Sequence, residues 1–250
     1  MKQLVVTVFV GSMTACALDS VDQRDQIDSE EQSIIGGVTD AGDPSVVAVF
    51  AHPPGSTSGS LCTGAVIAPQ TVLTAAHCVD PRVVGAGQVF EVLTGTQISL
   101  PGLAVASTAF DPLFDVNNLF AGHDIGVVHL AVPTGLAPLP FNTNTTLFNL
   151  PVRLVGYGAD THANTGVGIK RQVTTNPVAA NTLLVQIGNS NQQTCHGDSG
   201  GPAFQTLAGI ETIIGVTSFG SDNSPTSVCF GGGIDTRVDA VASFIFANRF

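Results

Sequence analysis

The sequence predicts an all-β protein, and its composition and its short apolar runs both support this prediction. Glycine occurs 28 times and proline 14 times in 250 residues, and these turn formers bound stretches rich in β-branched residues, such as residues 46–50, 66–68 and 213–217. Runs of this length between turn formers favour many short strands over helices. The chain also reaches the size at which one hydrophobic core divides, so one large domain and two subdomains of about 100 residues are both consistent with it.

The first 16 residues have the features of an export signal. Lys2 gives a positive start, residues 4–10 are apolar, and small residues precede Cys16. The apolar stretch is too short to cross a bilayer as a helix. Residues 13–15 before Cys16 resemble the lipobox of bacterial lipoproteins, in which the cysteine is acylated and becomes the new N-terminus. The alternative is an ordinary signal peptide that contains a cysteine.

Cysteine number agrees with a modified Cys16, because five is an odd count and exported proteins tend to pair their thiols. Cys62 and Cys78 flank a strand-like run and could close a small loop. Cys195 and Cys229 flank the region around Ser199. Cys16 is then the remaining thiol. We expect export, with membrane attachment through lipidated Cys16 in a bacterial host.

Residues 17–33 are acidic and lack apolar periodicity, which predicts a linker or prosegment without folded structure. The whole chain has 8 basic and 19 acidic residues, a formal net charge of -11. This charge repels nucleic-acid phosphates and anionic lipid headgroups. We expect no nucleic-acid partner.

Ser199 is the candidate nucleophile, because it lies in the run from Gly197 to Pro202 (GDSGGP). A serine hydroxyl needs a base to take its proton and donors for the developing oxyanion, and glycines let backbone N–H groups approach a substrate closely. The purely structural alternative is a glycine-rich turn with a solvated serine that has no catalytic role. The run also fits the elbow of α/β-hydrolases, which would make the protein an esterase of another fold, but all six histidines precede Ser199 and that fold needs one after it.

His77 and Asp124 are the candidate partners of Ser199. His77 follows an apolar run of small residues and precedes Cys78, which can fix the backbone beside it. A lone histidine there would by default be a core residue, and a lone Asp124 at the start of a Val- and Ile-rich strand would by default cap a turn. Together they form the chain order His, Asp, Ser of one catalytic triad, in which the carboxylate holds the imidazole in the required tautomer.

Four motifs resemble the trypsin and chymotrypsin family, in the order of that family. They are the mature N-terminus at residues 34–37 (IIGG), the histidine motif at 74–78 (TAAHC), the aspartate strand at 124–130 (DIGVVHL) and the serine motif at 197–202 (GDSGGP). The resemblance implies two packed antiparallel six-stranded β-barrels, about residues 34–143 and 144–250, with a closing C-terminal helix. The triad would lie in the cleft between the barrels.

The resemblance also assigns roles around the triad. The N–H groups of Gly197 and Ser199 would form the oxyanion hole, Ser218 would support Asp124, and residues 218–220, with Phe219 in the middle, would pair with an extended substrate. Cys62 with Cys78 and Cys195 with Cys229 match two recurrent disulfides of the family.

For activation, the resemblance implies a zymogen. A cut before Ile34 would free an α-amino group that pairs with the buried Asp198. Family zymogens are commonly cut after Arg or Lys, whereas Ser33 precedes Ile34 here. An activating protease of another specificity is therefore expected.

The resemblance also implies a specificity pocket formed by five positions. Gln193 and Thr194 would form its floor, Gly220 and Gly233 its walls, and Asp235 would approach the floor from the next strand. The neutral Gln193 favours cleavage after uncharged, medium to large side chains. An unpartnered Asp235 would instead attract Arg or Lys, unless an amide such as that of Gln193 satisfied it.

The sequence therefore predicts a secreted serine endopeptidase that forms an acyl-enzyme, acts on polypeptides as a monomer and needs neither a metal nor an organic cofactor. Its cysteine and histidine spacings form no convincing zinc set. The alternative is a protease-like binding or adhesion module that has lost activity, although such proteins usually lack a triad member.

Overall fold

The computed structural model describes residues 34–144, 150–221 and 229–250. The predicted export signal, Cys16 and the acidic segment up to residue 33 lie outside the described residues. The strands are β1 (Val38–Thr39), β2 (Val46–His52), β3 (Ser60–Ala68), β4 (Thr71–Thr74), β5 (Val89–Leu93), β6 (Leu103–Phe110), β7 (Gly126–Leu130), β8 (Val152–Gly156), β9 (Arg171–Thr175), β10 (Pro177–Ala180), β11 (Leu184–Ile187), β12 (Pro202–Leu207), β13 (Ile210–Gly220) and β14 (Gly233–Arg237). The helical segments are the 3-10 turns Ala76–Cys78 and Leu119–Ala121 and the helices α1 (Pro81–Val84) and α2 (Ala242–Asn248).

The first barrel is a closed sheet of six antiparallel strands in the order β2-β3-β4-β7-β6-β5. Every residue of β2, β4 and β7 is buried. Both faces of these strands are covered, since successive side chains point to opposite faces. This agrees with their sequences, in which apolar residues follow one another at 46–51, 72–73 and 127–128 instead of alternating with polar ones.

The second sheet is a curled half-barrel of eight strands in the order β1-β9-β8-β12-β13-β14-β11-β10. Its count differs from the six strands expected for a second barrel, for two reasons. β9 and β10 are separated only by Asn176, so one bent stretch of chain supplies β10 at one end of the sheet and β9 next to the other end. The two-residue strand β1 adds the remaining member, with Val38 opposite Gln172 of β9. The double-barrel, all-β class is confirmed.

The C-terminal helix is also confirmed, as α2 over Ala242–Asn248. Its residue Ile245 is fully buried in the hydrophobic cluster that includes Leu73 of β4. No helix in the described ranges is long and apolar enough to cross a membrane. The domain division at residues 143 and 144 stays a prediction, and β1 is a strand from before that division that pairs with the second sheet.

Candidate active site

His77 and Asp124 meet at one edge of the first barrel. β4 and β7 are antiparallel neighbours with Thr74 opposite Gly126, so the residues after β4 and those before β7 emerge at the same edge. His77 lies in the 3-10 turn that follows β4, and its Nδ1 atom is 2.7 Å from Oδ2 of Asp124. The backbone N–H of His77 donates to the other carboxylate oxygen at 2.9 Å.

Asp124 is fully buried and has a third donor, the Ser218 hydroxyl, as expected for a supporting residue. Burial alone would raise the pKa of this carboxyl, but the hydrogen bonds from His77 and Ser218 outweigh it, and the pKa of Asp124 lies below its usual value. Asp124 is therefore ionised at neutral pH. With Nδ1–H of His77 donating to the carboxylate, Nε2 is the ring atom that can accept a proton.

Ser199 is held beside this pair by residues of the first barrel. The N–H of Thr63 on β3 donates to the Ser199 carbonyl at 2.8 Å, and the Thr63 hydroxyl donates to the Gly197 carbonyl at 2.8 Å. Sγ of Cys78, the residue after His77, lies 3.6 Å from the Ser199 carbonyl oxygen. Thr63 thus couples the serine loop of one sheet to the histidine side of the other.

Two glycines around Ser199 meet a steric requirement. Gly197 has φ +97° and Gly200 has φ +81°, in the region that side chains rarely adopt. A Cβ at Gly200 would lie 2.0 Å from Oγ1 of Thr74. The backbone N–H groups of Gly197 and Ser199 donate to no acceptor within the described ranges, so both remain available to an oxyanion.

A cavity of about 210 Å³ opens beside Ser199. It is lined by Thr194, Cys195, His196, Ser199, Thr217, Ser218, Phe219, Gly220 and Cys229. Four of the expected substrate-binding residues, Thr194, Ser218, Phe219 and Gly220, are thus brought together with Ser199. Sequence reasoning missed His196 and Thr217, because the first precedes the recognised serine motif and the second lies inside an apolar strand.

Gln193 adjoins the cavity rather than lining it, and both ends of its amide are bonded to backbone. Its Nε2 donates to the Cys229 carbonyl at 3.0 Å, and its Oε1 accepts from the Gly232 N–H at 2.9 Å. The side chain is 1% exposed. It joins the two chain segments that flank the cavity.

Gly233 and Asp235 lie behind the cavity wall on β14. A Cβ at Gly233 would be 2.4 Å from Oγ1 of Thr194 and 3.6 Å from Oδ1 of Asp235. The side-chain position of Gly233 is therefore close both to Thr194, which lines the cavity, and to Asp235. Asp235 itself is fully buried.

The segment from Ile34 packs against the serine loop. The Ile34 side chain is fully buried in the core of the second sheet, and the Ile35 carbonyl accepts from the Gln193 N–H at 3.2 Å. Asp198 is also fully buried, and its carboxylate accepts from the N–H groups of Gly158 and Cys195 at 2.8 and 2.9 Å. Burial raises the pKa of Asp198 to about 7 despite these bonds.

Both disulfides expected from the resemblance are present. Cys62 is bonded to Cys78 with an S–S distance of 2.01 Å, and Cys195 to Cys229 with 2.10 Å. The first joins β3 to the turn that carries His77, and the second joins the serine loop to the segment before β14. Disulfides are typical of proteins that fold outside the cytosol.

Within the described residues, Cys62, His77 and Cys78 are the one group of metal-ligating side chains whose atoms lie within 4.8 Å of one another. Both sulfurs are consumed by the disulfide, and a metal ligand must be a thiolate. This group is therefore part of the structural support of His77.

Comparison with known proteins agrees with this architecture. The family model described as Trypsin matches residues 34–245. The chain belongs to the trypsin family. Brachyurin of Leptuca pugilator is 31% identical over 180 residues, which cover 64% of this chain and 76% of that protein. Chymotrypsin-like elastase family member 1 of Bos taurus is 29% identical over 220 residues, or 76% and 79% of the two chains, and its Homo sapiens counterpart is 28% identical over 209 residues, or 74% and 79%.

Membership of the trypsin family indicates a protease that acts on polypeptides. The matched region begins at Ile34, which is also the first described residue. The trypsin-family match therefore covers nearly all of the described chain.

Proposed function

We propose that this trypsin-family protein is a serine endopeptidase that hydrolyses peptide bonds through an acyl-enzyme. The observation that carries the proposal is the hydrogen-bonded pair of His77 and Asp124 beside a cavity lined by Ser199. Ser199 lines the cavity, and its carbonyl oxygen lies 3.6 Å from Sγ of Cys78, the residue after His77, so in the proposed mechanism the imidazole serves as the base for the serine hydroxyl.

The residues then act in a defined order. Ser199 Oγ attacks the substrate carbonyl while Nε2 of His77 takes its proton, and the ionised Asp124 stabilises the imidazolium that forms. The N–H groups of Gly197 and Ser199 donate to the oxyanion. The protonated His77 gives its proton to the leaving amine, and water then hydrolyses the ester to release Ser199.

Activation by a cut before Ile34 is part of the same proposal. Such a cut creates an ammonium group on a residue that already packs in the second sheet. The buried Asp198 has two backbone N–H donors, and the charge of Arg171 lowers its pKa without overcoming the effect of burial, so a new ammonium group beside it would stabilise its ionised form. Because Asp198 adjoins Ser199, that pairing would order the oxyanion loop.

The proposals that the protein is exported and that Cys16 is lipidated in a bacterial host are supported by the sequence alone. Mass spectrometry of the native protein tests both, and an unmodified Cys16 would exclude the lipid anchor.

Activity of triad variants tests the proposed mechanism. With protein cut before Ile34, Ser199→Ala and His77→Ala should each lower kcat on peptides by roughly 10⁴- to 10⁶-fold, because these residues act as a unit. Asp124→Asn should lower it by about 10⁴-fold through the wrong histidine tautomer. Ser58→Ala, in an exposed loop, is the matched control and should retain full activity. A Ser199 or His77 variant that keeps more than about a tenth of the activity would rule out this assignment.

A further inference from the structure

Asp235 is a fully buried carboxylate with no role in the proposed triad, oxyanion hole or activation. It lies on β14 opposite Thr217 of β13 and Val185 of β11. Neither of its oxygens has a hydrogen-bond partner of good geometry in the described part of the chain. The Thr217 hydroxyl is close enough to lower the pKa of the carboxyl. Burying a carboxyl without partners is costly, and here burial raises the pKa of Asp235 to about 8.

The carboxylate lies against the wall of the cavity beside Ser199. Its strand neighbour Thr217 lines that cavity, as does Thr194. Thr194 and Asp235 both lie within 4 Å of the position that a Cβ of Gly233 would occupy, and glycine leaves that position open. Asp235 would be the charged group nearest to the end of a long side chain that entered the cavity.

Gln193 does not satisfy this carboxylate. Both its amide nitrogen and its amide oxygen are bonded to the backbone of Cys229 and Gly232. The amide of Gln193 thus links its own segment to residues 229–232, and the Thr217 hydroxyl is the polar group that lowers the pKa of Asp235.

We propose that Asp235 selects the residue before the cleaved bond and that it selects Arg or Lys. This inference rests on the proposed endopeptidase function. A guanidinium or ammonium group would bring the charge and the N–H donors that Asp235 lacks, and charge-assisted hydrogen bonds are stronger than neutral ones. The preference for uncharged side chains expected from Gln193 is thereby replaced by a basic one.

The charge state of Asp235 gives the preference a pH dependence. The side chains and backbone that face it are uncharged, namely Thr194, Gly233, Gly215, Thr217 and Val185. Arg237 lies two residues along the same strand and bonds to Asp239 and to the Asn181 carbonyl. Recognition of a cation requires ionised Asp235, so kcat/KM for basic peptides should rise with pH relative to neutral ones until Asp235 has titrated. Groups that act only on the reacting bond affect both kinds of peptide alike and cancel in the ratio.

The test uses cut enzyme and peptides that differ only at the residue before the cut. Arg and Lys should exceed Leu, Phe and Gln by more than about tenfold in kcat/KM above pH 8, and Asp235→Asn should lower the ratio of kcat/KM for Arg over Leu at least about tenfold. Glu211→Gln, which removes a negative charge from an exposed position of β13, is the control and should keep the preference. A higher rate for Leu, Phe or Gln in the wild type would overturn the inference.

A second measurement needs no variant and applies even when Asp235→Asn fails to fold. In the wild type, the ratio of kcat/KM for Arg over Leu should rise up to about tenfold per pH unit below the pKa of Asp235, and a ratio that is flat between pH 6 and 9 contradicts the inference. Covalent labelling of Ser199 by a fluorophosphonate separates the two proposals. An enzyme that is labelled and prefers Leu refutes only the role of Asp235, whereas one that is neither labelled nor active refutes the peptidase function as well.

Discussion

At the scale of single residues, the site depends on buried carboxylates with different surroundings. Asp124 has three donors, and its pKa lies below the usual value. Asp198 has two backbone donors and a pKa of about 7. Burial disfavours the ionised form of both, so the number and charge of the donors decide which carboxyl is ionised at neutral pH.

Asp198 predicts a pH-dependent stability of the uncut chain. Its pKa is raised in the folded state, so between about pH 4 and 7 the folded chain holds a proton that the unfolded chain has released. The stabilisation is complete below that range and is lost as the pH rises through it, by up to about 1.4 kcal/mol per pH unit. Asp198→Asn should remove this part of the slope.

Denaturant unfolding between pH 4 and 8 measures the effect, with both proteins in the Ser199→Ala background to prevent self-cleavage. The contribution of Asp235 is common to both proteins and cancels in their difference. Equal slopes with and without Asp198 would show that this carboxyl is ionised in the uncut chain.

The proposed reactive residues could be selected from the sequence, because each lies in a short motif whose residue types suit the proposed chemistry. Thr63 could not be predicted, since its role comes from a contact between the two sheets that no local pattern encodes. Likewise, Gln193 and Asp235 are neighbours of one cavity, but only the structure shows that the amide is bonded to backbone and that the carboxylate has no partner.

At the scale of elements, antiparallel pairing explains the position of the histidine and the aspartate. Turns after β4 and before β7 share an edge because Thr74 and Gly126 are paired. The sequence predicted short strands but not the bend at Asn176, by which β10 forms one end of the sheet while β9 lies next to the other end. Such a bend depends on the closure of the whole sheet rather than on the residues beside it.

The disulfide that joins β3 to the histidine turn should support both stability and catalysis. It closes a loop with a sequence separation of 16, so Cys62→Ala with Cys78→Ala should lower the free energy of unfolding by about 3 kcal/mol. The turn that carries His77 would also lose a covalent support, and kcat should fall.

The second disulfide provides the comparison. Cys195→Ala with Cys229→Ala removes a link between two cavity-lining residues with a separation of 34, so its kinetic effect should be mainly a higher KM. Denaturant unfolding and steady-state kinetics of the two double variants distinguish these outcomes. Unchanged kcat and stability without the first disulfide would contradict its role at His77.

At the scale of the whole molecule, a residue network links the two sheets at the site. β1 precedes the first barrel but pairs with the second sheet, and Thr63 of the first barrel holds the serine loop of the second. The family match over residues 34–245 spans both sheets. The serine and the histidine side of the site therefore depend on the packing of the complete fold, which explains why motifs more than 100 residues apart converge.

Intact-mass spectrometry after fluorophosphonate treatment tests the central claim, that Ser199 is an activated nucleophile. Protein cut before Ile34 should gain one adduct, located on Ser199, while Ser199→Ala should gain none and Ser58→Ala should be labelled like the wild type. The uncut chain should be labelled much more slowly. Absence of an adduct on the cut wild type, or equal labelling of Ser199→Ala, would contradict the account.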